Sequence, residues 1–179
     1  GDFATSLGPV FANLLLADEI NRAPAKVQSA LLEVMQERQV TIAGDSHRVP
    51  EPFVVMATQN PIETEGTYPL PEAQVDRFMM KVLVGYPSED EEFVIVERVI
   101  GPSIDIGAVI TTQQLAQLQK ECRAAYVDPS LITYAVKLVA ATREPAKVGQ
   151  TDLGKYVAFG ASPRATIWLA MGARALAFL

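Results

Sequence analysis

Residues 13–19 read Asn-Leu-Leu-Leu-Ala-Asp-Glu, a short apolar run that ends in two adjacent carboxylates. Such a run, bounded by polar residues, is typical of a strand buried on both faces, as in a parallel sheet. Phe53–Thr58 and Met79–Gly85 are two further runs of this kind. Between the first two, apolar residues recur at helical spacing from Lys26 to Glu37. Strand, helix and strand in this order predict the right-handed crossover of a doubly wound α/β domain.

A β-hairpin is predicted between this helix and the second strand. Val40–Ile42 and His47–Val49 flank a turn from Ala43 to Ser46, which contains Gly and Asp. Taken alone, the hairpin is as readily a plain connection as a functional loop, because its exposed residues are ordinary ones.

Downstream of Gly85 the pattern becomes helical. Helix-start signals stand at Ser88 with Glu91, Thr111 with Gln114, Asp128-Pro129 and Ser162-Pro163. Beyond Gly101-Pro102 we find no further strand pattern. We therefore predict an α/β core over residues 1–100, a linker over 101–107 and a small all-helical domain over 108–179.

Composition excludes several classes of protein. The chain has 179 residues, of which 49% are hydrophobic, so it can bury a core. Its net charge of -6 argues against an electrostatic grip on nucleic acid. Cys122 and His47 are the only residues of their types, which excludes an internal disulfide and a Cys-based zinc site. No run approaches the ~20 apolar residues of a membrane span, and a reducing cytoplasm is the expected location.

The two carboxylates after the first strand are the strongest chemical signal. Hydrolysis of a phosphoanhydride needs one carboxylate near a magnesium ion and a second group that orients the attacking water. Asp18 and Glu19 can point to different sides of the strand end, so that one faces the metal and the other the water. Acidic residues also follow strands as solvated turns, and the dipeptide alone leaves both interpretations open.

Four longer sequence motifs discriminate between a catalytic pair and a solvated turn. Residues 18–24 read Asp-Glu-Ile-Asn-Arg-Ala-Pro, 57–61 read Ala-Thr-Gln-Asn-Pro, 70–78 read Leu-Pro-Glu-Ala-Gln-Val-Asp-Arg-Phe, and 160–165 read Gly-Ala-Ser-Pro-Arg-Ala. In this order they resemble the MoxR family of AAA+ ATPases over nearly the whole chain. The resemblance implies a partial AAA+ αβα core with a parallel sheet, a helical lid that is truncated here, and ATP with Mg²⁺ as cofactors.

The resemblance also implies roles for single residues. Asp18 and Glu19 match the end of the Walker B strand, Asp18 holding magnesium through water and Glu19 acting as the catalytic carboxylate. Asn60 matches sensor 1, which helps to hold the attacking water and the γ-phosphate. Arg77 matches the arginine finger, which reaches the neighbouring subunit's site. Arg164 matches sensor 2 in the lid and is expected to bind the nucleotide, and the hairpin matches a pre-sensor hairpin that faces a pore or a neighbour.

Without the resemblance, two of these residues have simpler interpretations. Asn60 suits a turn before Pro61, and Arg77 suits a surface salt bridge. Arg164 is different, because it lies in the first turn of a helix, where a cation opposes the macrodipole. We therefore expect an anion beside Arg164.

A second stretch imitates a phosphate-binding loop. Residues 149–156 read Gly-Gln-Thr-Asp-Leu-Gly-Lys-Tyr, with Tyr156 where Ser or Thr should bind magnesium. A true loop follows an apolar strand and opens a helix, and this stretch does neither. We expect the genuine loop upstream of Gly1, residues 1–8 being the tail of an insertion that the family carries before Walker B. By itself the chain is then expected not to hydrolyse ATP.

The resemblance implies a ring ATPase, expected to be a hexamer, that remodels or matures protein complexes. Its partners would be protein clients, with a von Willebrand factor A domain protein among the candidates. Three alternatives stay open: a magnesium-chelatase-like motor subunit, a nucleic-acid helicase, and a non-catalytic interaction module without a phosphate loop. The residues upstream of Gly1 would discriminate between enzyme and module.

Overall fold

The computed structural model describes residues 7–60 and 66–179. The elements of the first half are β1 (Leu14–Ala17), α1 (Ala25–Glu37), β2 (Gln39–Ile42), β3 (Asp45–Arg48), β4 (Val54–Ala57) and α2 (Glu72–Val75). Those of the second half are α3 (Glu89–Ile100), α4 (Thr112–Ala124), α5 (Pro129–Arg143) and α6 (Pro163–Phe178). Short 3-10 turns lie at Ile20–Arg22, Pro145–Val148 and Thr151–Lys155.

The first and fourth strands form a parallel pair, which confirms the predicted α/β crossover. Leu14 lies opposite Val54, and Ala17 lies opposite Ala57. The chain returns from β1 to β4 through α1 and the hairpin. Because the strands are parallel, the residues that follow each of them meet at one edge of the sheet.

One face of this pair covers the core, and the other is exposed. Leu15 and Val55 pack against a cluster of Val34, Val49 and Phe53. On the opposite face lie the exposed side chains Leu14, Leu16, Val54 and Met56. The prediction that β1 and β4 are buried on both faces was therefore wrong. The reason is geometric, since α1 and the hairpin lie on one side and no second layer covers the other within residues 7–60 and 66–179.

The hairpin is confirmed, but its turn is shorter than predicted. β2 and β3 pair antiparallel, with Ile42 opposite Asp45. The turn consists of Ala43 and Gly44 alone, at φ 52° and 96°. Two consecutive residues at positive φ match the twist of the flanking strands, which is why two-residue turns of this kind dominate hairpins. Asp45 and Ser46 therefore belong to β3.

The predicted third strand is absent. Residues 79–85 adopt no strand, and the side chains of Val82, Leu83 and Val84 are 74%, 84% and 91% exposed. A strand needs a neighbour to supply its ladder of hydrogen bonds. None of the four strands of the described chain pairs with this stretch.

The helical half begins each helix where the sequence predicted. Ser88 and Glu91 form a complete capping box, as do Thr111 and Gln114. Hydrogen bonds from the backbone N–H and the hydroxyl of Ser88 lower the pKa of the Glu91 carboxyl. Asp128 caps α5.

Helices α4 and α5 pack against α6, and α5 contributes the buried Ala135 and Val139. In the described part of the chain no strand follows Gly101, as predicted. Residues 102–107 have no regular structure, and the domain boundaries stay a prediction. Among the described helices, none combines the length and apolar content that a bilayer crossing requires.

Candidate functional site

Thr58, which follows β4, joins the ends of the two parallel strands. Its N–H donates to the Ala17 carbonyl at 3.1 Å, and its carbonyl accepts from the Ile20 N–H at 3.0 Å. Its hydroxyl donates to a carboxylate oxygen of Asp18 and accepts from the Glu19 N–H at 2.8 Å. One residue thus contacts both predicted site residues at the edge of the sheet, Asp18 through its carboxylate and Glu19 through its backbone N–H.

The backbone turns sharply at Glu19. This residue adopts the left-handed conformation, with φ 48° and ψ 48°, and directly precedes the 3-10 turn. Its carboxylate forms an ion pair with Arg22 Nε at 2.8 Å, in an exposed position. The carboxylates of Asp18 and Glu19 therefore have different partners, a hydroxyl and a guanidinium. This fits the expectation that the two residues face different ways.

Buried amides support the loop that carries these carboxylates. Asn21 donates through Nδ2 to the Asn60 carbonyl at 3.5 Å, which places Asn60 beside the same loop. Gln28 of α1 is buried and donates to the carbonyls of Ile20 at 3.1 Å and Tyr68 at 2.8 Å. The structure therefore brings Asp18, Glu19 and Asn60 together at the carboxyl ends of β1 and β4.

The two predicted arginines lie on another part of the molecule. Arg164 Nη1 donates to an Asp76 carboxylate oxygen at 3.1 Å, and the Ser162 hydroxyl lies 2.7 Å from both oxygens of that carboxylate. Ser162 is also the N-cap of α6, its hydroxyl accepting from the Arg164 N–H at 3.0 Å. The anion expected beside Arg164 is thus the Asp76 carboxylate.

Arg77 follows Asp76 directly. Its Nε is buried without a hydrogen-bond partner, and no carboxylate in residues 7–60 or 66–179 pairs with it. The surface salt bridge that the sequence offered as an alternative is therefore not formed with any described residue. None of the contacts described brings Arg77 or Arg164 to the edge that carries Asp18.

The sheet edge suits a magnesium ion that is held mainly by other oxygens. Among the described residues there is no group of three or more metal-ligating side chains. Magnesium in nucleotide sites keeps several waters and takes one or two carboxylates together with the phosphates. Asp18 is a carboxylate of this kind, and its described hydrogen bond comes from the neutral Thr58 hydroxyl and not from a cation. Its role in binding magnesium stays a prediction.

Known proteins resemble this chain closely. A family model described as "ATPase family associated with various cellular activities (AAA)" matches residues 1–80. The chaperone MoxR1 of Mycobacterium tuberculosis (strain ATCC 25618 / H37Rv) is 54% identical over 178 residues, which are 99% of this chain and 47% of the relative. Protein MoxR of Paracoccus denitrificans is 30% identical over 174 residues, which are 90% of this chain and 51% of the relative.

A solved structure of a presumed ATPase from Cytophaga hutchinsonii ATCC 33406 agrees with a TM-score of 0.93 at 47% identity. The agreement covers 99% of this chain and 55% of that one. This chain belongs to the MoxR family of AAA+ ATPases. It spans about half the length of the curated relatives that it matches.

Membership in the MoxR family confirms the predicted family and the predicted fold class, a partial AAA+ core followed by helices. The matched residues 1–80 include Asp18, Glu19, Asn60 and Arg77, whereas Arg164 lies outside them. The roles of these residues stay predictions.

The stretch 149–156, whose sequence resembles a phosphate-binding loop, does not have the secondary structure that such a loop requires on either side. Residues 149–156 follow α5 and a 3-10 turn, and they include a second 3-10 turn. Lys155 pairs with Asp152 at 3.5 Å and lies over the Tyr156 ring at 5.3 Å. The strand before and the helix after, which would aim backbone N–H groups at a phosphate, are both missing here.

Sequence reasoning missed Thr58, Asp76 and the buried amides. Thr58 was quoted within a matching word, but its hydroxyl contacts a residue 40 positions away. The register of β1 against β4 could have predicted this contact: Ala17 lies opposite Ala57, so the next pair is Asp18 with Thr58. No local signal connects Asp76 with Arg164, which lies 88 positions away.

Proposed function

We propose that this chain is part of a MoxR-type AAA+ ATPase that hydrolyses ATP and uses the energy to remodel or mature protein complexes. The observation that carries the proposal is the network around Thr58, which holds Asp18 and Glu19 at one sheet edge. Crevices at the carboxyl ends of parallel strands are where open α/β folds bind ligands. The name of the relative MoxR1, a chaperone, supports the remodelling role.

Each residue at this edge has a distinct task in the proposal. Asp18 binds the magnesium shell through water, and Thr58 fixes the orientation of the Asp18 carboxylate. Glu19 polarises the attacking water, for which Arg22 must release the Glu19 carboxylate or share it. Asn60 orients that water and the γ-phosphate. Bound Mg²⁺ neutralises charge on the phosphates. A phosphate-binding loop outside residues 1–179 completes the site.

The assembly follows from Arg77 in this proposal. An arginine supplied by a neighbour stabilises the charge of the transition state and makes hydrolysis depend on the ring. No described carboxylate forms an ion pair with Arg77, which suits a guanidinium whose partner lies in another subunit. We propose a hexameric ring in the cytoplasm that acts on protein clients, with a von Willebrand factor A domain protein among the partners.

Replacement of Glu19 by Gln tests the chemical role. In a longer protein that contains this chain and its phosphate loop, Glu19→Gln should abolish steady-state ATP hydrolysis while nucleotide affinity stays within about twofold. The amide keeps the shape of the side chain but cannot polarise water as a carboxylate does. Phosphate release and a calorimetric titration with Mg-ATP measure the two effects.

Glu33→Gln is the matched control, because it makes the same chemical change at an exposed position of α1, away from the site. It should leave both quantities unchanged. Near-normal hydrolysis by Glu19→Gln would remove Glu19 from the mechanism. A wild-type protein that binds no nucleotide would favour a non-catalytic interaction module.

A further inference from the structure

The contact between Asp76 and the start of α6 is a clasp between two parts of the chain that are far apart in sequence. We use "clasp" for Asp76, Ser162 and Arg164. Three donor–acceptor contacts join them, at 2.7, 2.7 and 3.1 Å. Asp76 directly follows α2, next to Arg77, and the other two residues lie at the start of the helix that carries the predicted sensor 2.

The clasp places an anion where a helix attracts one. The N-terminus of α6 carries a partial positive charge, and Arg164 in its first turn adds a full one. The Asp76 carboxylate offsets both and accepts from the Ser162 hydroxyl, so it occupies the position that a bound phosphate oxygen would favour. In the nucleotide-binding role that the resemblance implies for Arg164, a γ-phosphate and Asp76 compete for the same guanidinium.

The packing beneath the clasp is open. A cleft of about 510 Å³ lies between the segment Asp76–Met80 and α6, with Phe78 and Met79 among its lining on one side and Trp168 and Leu169 on the other. The indole N–H of Trp168 is buried without a partner among the described residues, as is Nε of Arg77. A buried polar group without a partner costs free energy, and the cleft leaves part of the contact between these two surfaces without close packing.

The α6 side of the clasp is held firmly. A Cβ on Gly160 would lie 2.5 Å from Cγ and 2.6 Å from Cα of Arg143, so the loop before α6 touches α5 directly. The Ala161 N–H also donates to the Thr142 hydroxyl at 2.9 Å. Ser162 and Arg164 therefore move together with α5 and α6, and the clasp is the part of the contact that has to break.

We propose that Asp76 is a built-in competitor for Arg164: it holds Arg164 and Ser162 when no γ-phosphate is bound and releases them when ATP arrives. Asp76 is then a positioning residue that reduces ATP affinity, because a fraction of the molecules holds Arg164 away from the nucleotide. This inference rests on the proposed ATPase function. It adds a switch that distinguishes ATP from ADP, since only ATP has the γ-phosphate that opens the clasp.

Asp76→Asn tests the competition in the longer protein that carries the phosphate loop. Asparagine keeps the shape and an acceptor for Ser162 but loses the charge that holds Arg164. The affinity for a non-hydrolysable ATP analogue with Mg²⁺ should rise about 5-fold, the low end of typical coupling effects because the pair is partly exposed. The affinity for Mg-ADP should stay within about twofold. Calorimetric titrations measure both.

Two comparisons make the test specific. Asp152→Asn breaks the exposed pair with Lys155 in the same half of the chain and should change neither affinity. In an Arg164→Ala background, Asp76→Asn should no longer affect the affinity for the ATP analogue, because the competed residue is gone.

A decrease in nucleotide affinity on Asp76→Asn would contradict the inference. If Asp76→Asn weakens binding of both nucleotides, the clasp is a static support of the lid, and the competition is wrong. Equal tightening of ADP and the ATP analogue would also contradict it, because the γ-phosphate would not be the competitor. A wild-type protein that binds neither nucleotide contradicts the proposed function itself, whereas wild-type binding with a weakened Asp76→Asn variant contradicts the clasp alone.

Discussion

Asp18 and Asp76 are both aspartates held by a hydroxyl, yet their surroundings differ in charge. The described hydrogen bond to the Asp18 carboxylate comes from Thr58, a neutral group. Asp76 accepts from Ser162 and also pairs with Arg164 at 3.1 Å. The first carboxylate has no described cationic partner, whereas the second is paired with a guanidinium within the chain. In the proposed function, the same type of side chain thus binds magnesium at one site and holds Arg164 at the other until a γ-phosphate competes for it.

The two aspartates also differ in how their supports are built. Thr58 is fixed by the pairing of β1 with β4, next to the cluster that contains Val34, Val49 and Phe53. The clasp instead spans an open cleft. Close-packed interiors resist displacement, and open contacts permit it. We therefore interpret the edge with Asp18 as the rigid part of the site and the clasp as its movable part.

The largest expected effect is that of Arg77→Ala, which tests whether the residue beside Asp76 acts on another subunit. Loss of an arginine finger reduces the hydrolysis rate on the order of 10³–10⁵-fold. Mixing Arg77→Ala with Glu19→Gln subunits should restore part of the hydrolysis, because one type of junction then has an intact site. Phosphate release at several mixing ratios measures this.

Arg123→Ala, at an exposed position in the last turn of α4, is the control for the loss of a guanidinium and should leave the rate unchanged. If rings that are known to mix show no recovery at any ratio, Arg77 does not act in trans.

Thr58→Val should have a smaller effect, and it tests the neutral partner of Asp18. Valine keeps the shape but removes the hydroxyl that orients the carboxylate. Outer groups that orient a metal-binding side chain typically contribute about 10–100-fold to metal affinity or activity. We expect the magnesium concentration for half-maximal hydrolysis to rise by that factor, measured by titrating Mg²⁺ at saturating ATP.

Thr58→Ser retains the hydroxyl and should stay close to the wild type. An unchanged magnesium dependence in Thr58→Val would mean that the hydroxyl serves the fold and not the metal.

The smallest expected effect is that of Lys155→Ala. Lys155 pairs with Asp152 and contacts Tyr156 within the imitation loop, so its loss should alter no nucleotide affinity. By itself the 179-residue chain should not bind Mg-ATP tightly, because backbone N–H groups of a phosphate loop hold the phosphates in such sites. Calorimetric titrations of the 179-residue chain and of its Lys155→Ala variant with Mg-ATP measure both affinities. Micromolar binding that disappears in Lys155→Ala would make residues 149–156 a phosphate site after all.

Features with a local cause were predictable from the sequence. Ser88 and Thr111 begin helices because their hydroxyls and the side chains three residues later satisfy free N–H groups nearby. The run from Leu14 to Ala17 was recognised as a strand because it is short and apolar. Asp18 and Glu19 were predicted from the strand that they follow, and Asn60 from the resemblance to the MoxR family. The parallel pairing of β1 with β4 and the contact of Asn21 with Asn60 bring the three residues to one edge.

Features that depend on distant partners were not predictable. Val82–Val84 has the composition of a strand, but no described strand pairs with it. The predicted burial of both faces of β1 required a second layer of structure, and the apolar pattern of the strand does not show whether such a layer is present. The contact of Asp76 with Arg164 depends on the packing of α6 across the cleft. The sequence predicted an anion beside Arg164 but did not indicate which residue supplies it.

The left-handed backbone of Glu19 has a consequence for the stability of the fold. A residue with a Cβ at φ 48° is less stable there than glycine, by about 1 kcal/mol. The chain therefore carries its proposed catalytic side chain at a position where glycine would relax the backbone. Selection for thermal robustness alone would favour removing that carboxylate, and selection for turnover would oppose it. Glu19 is thus a position where a more durable protein and a working one require different residues.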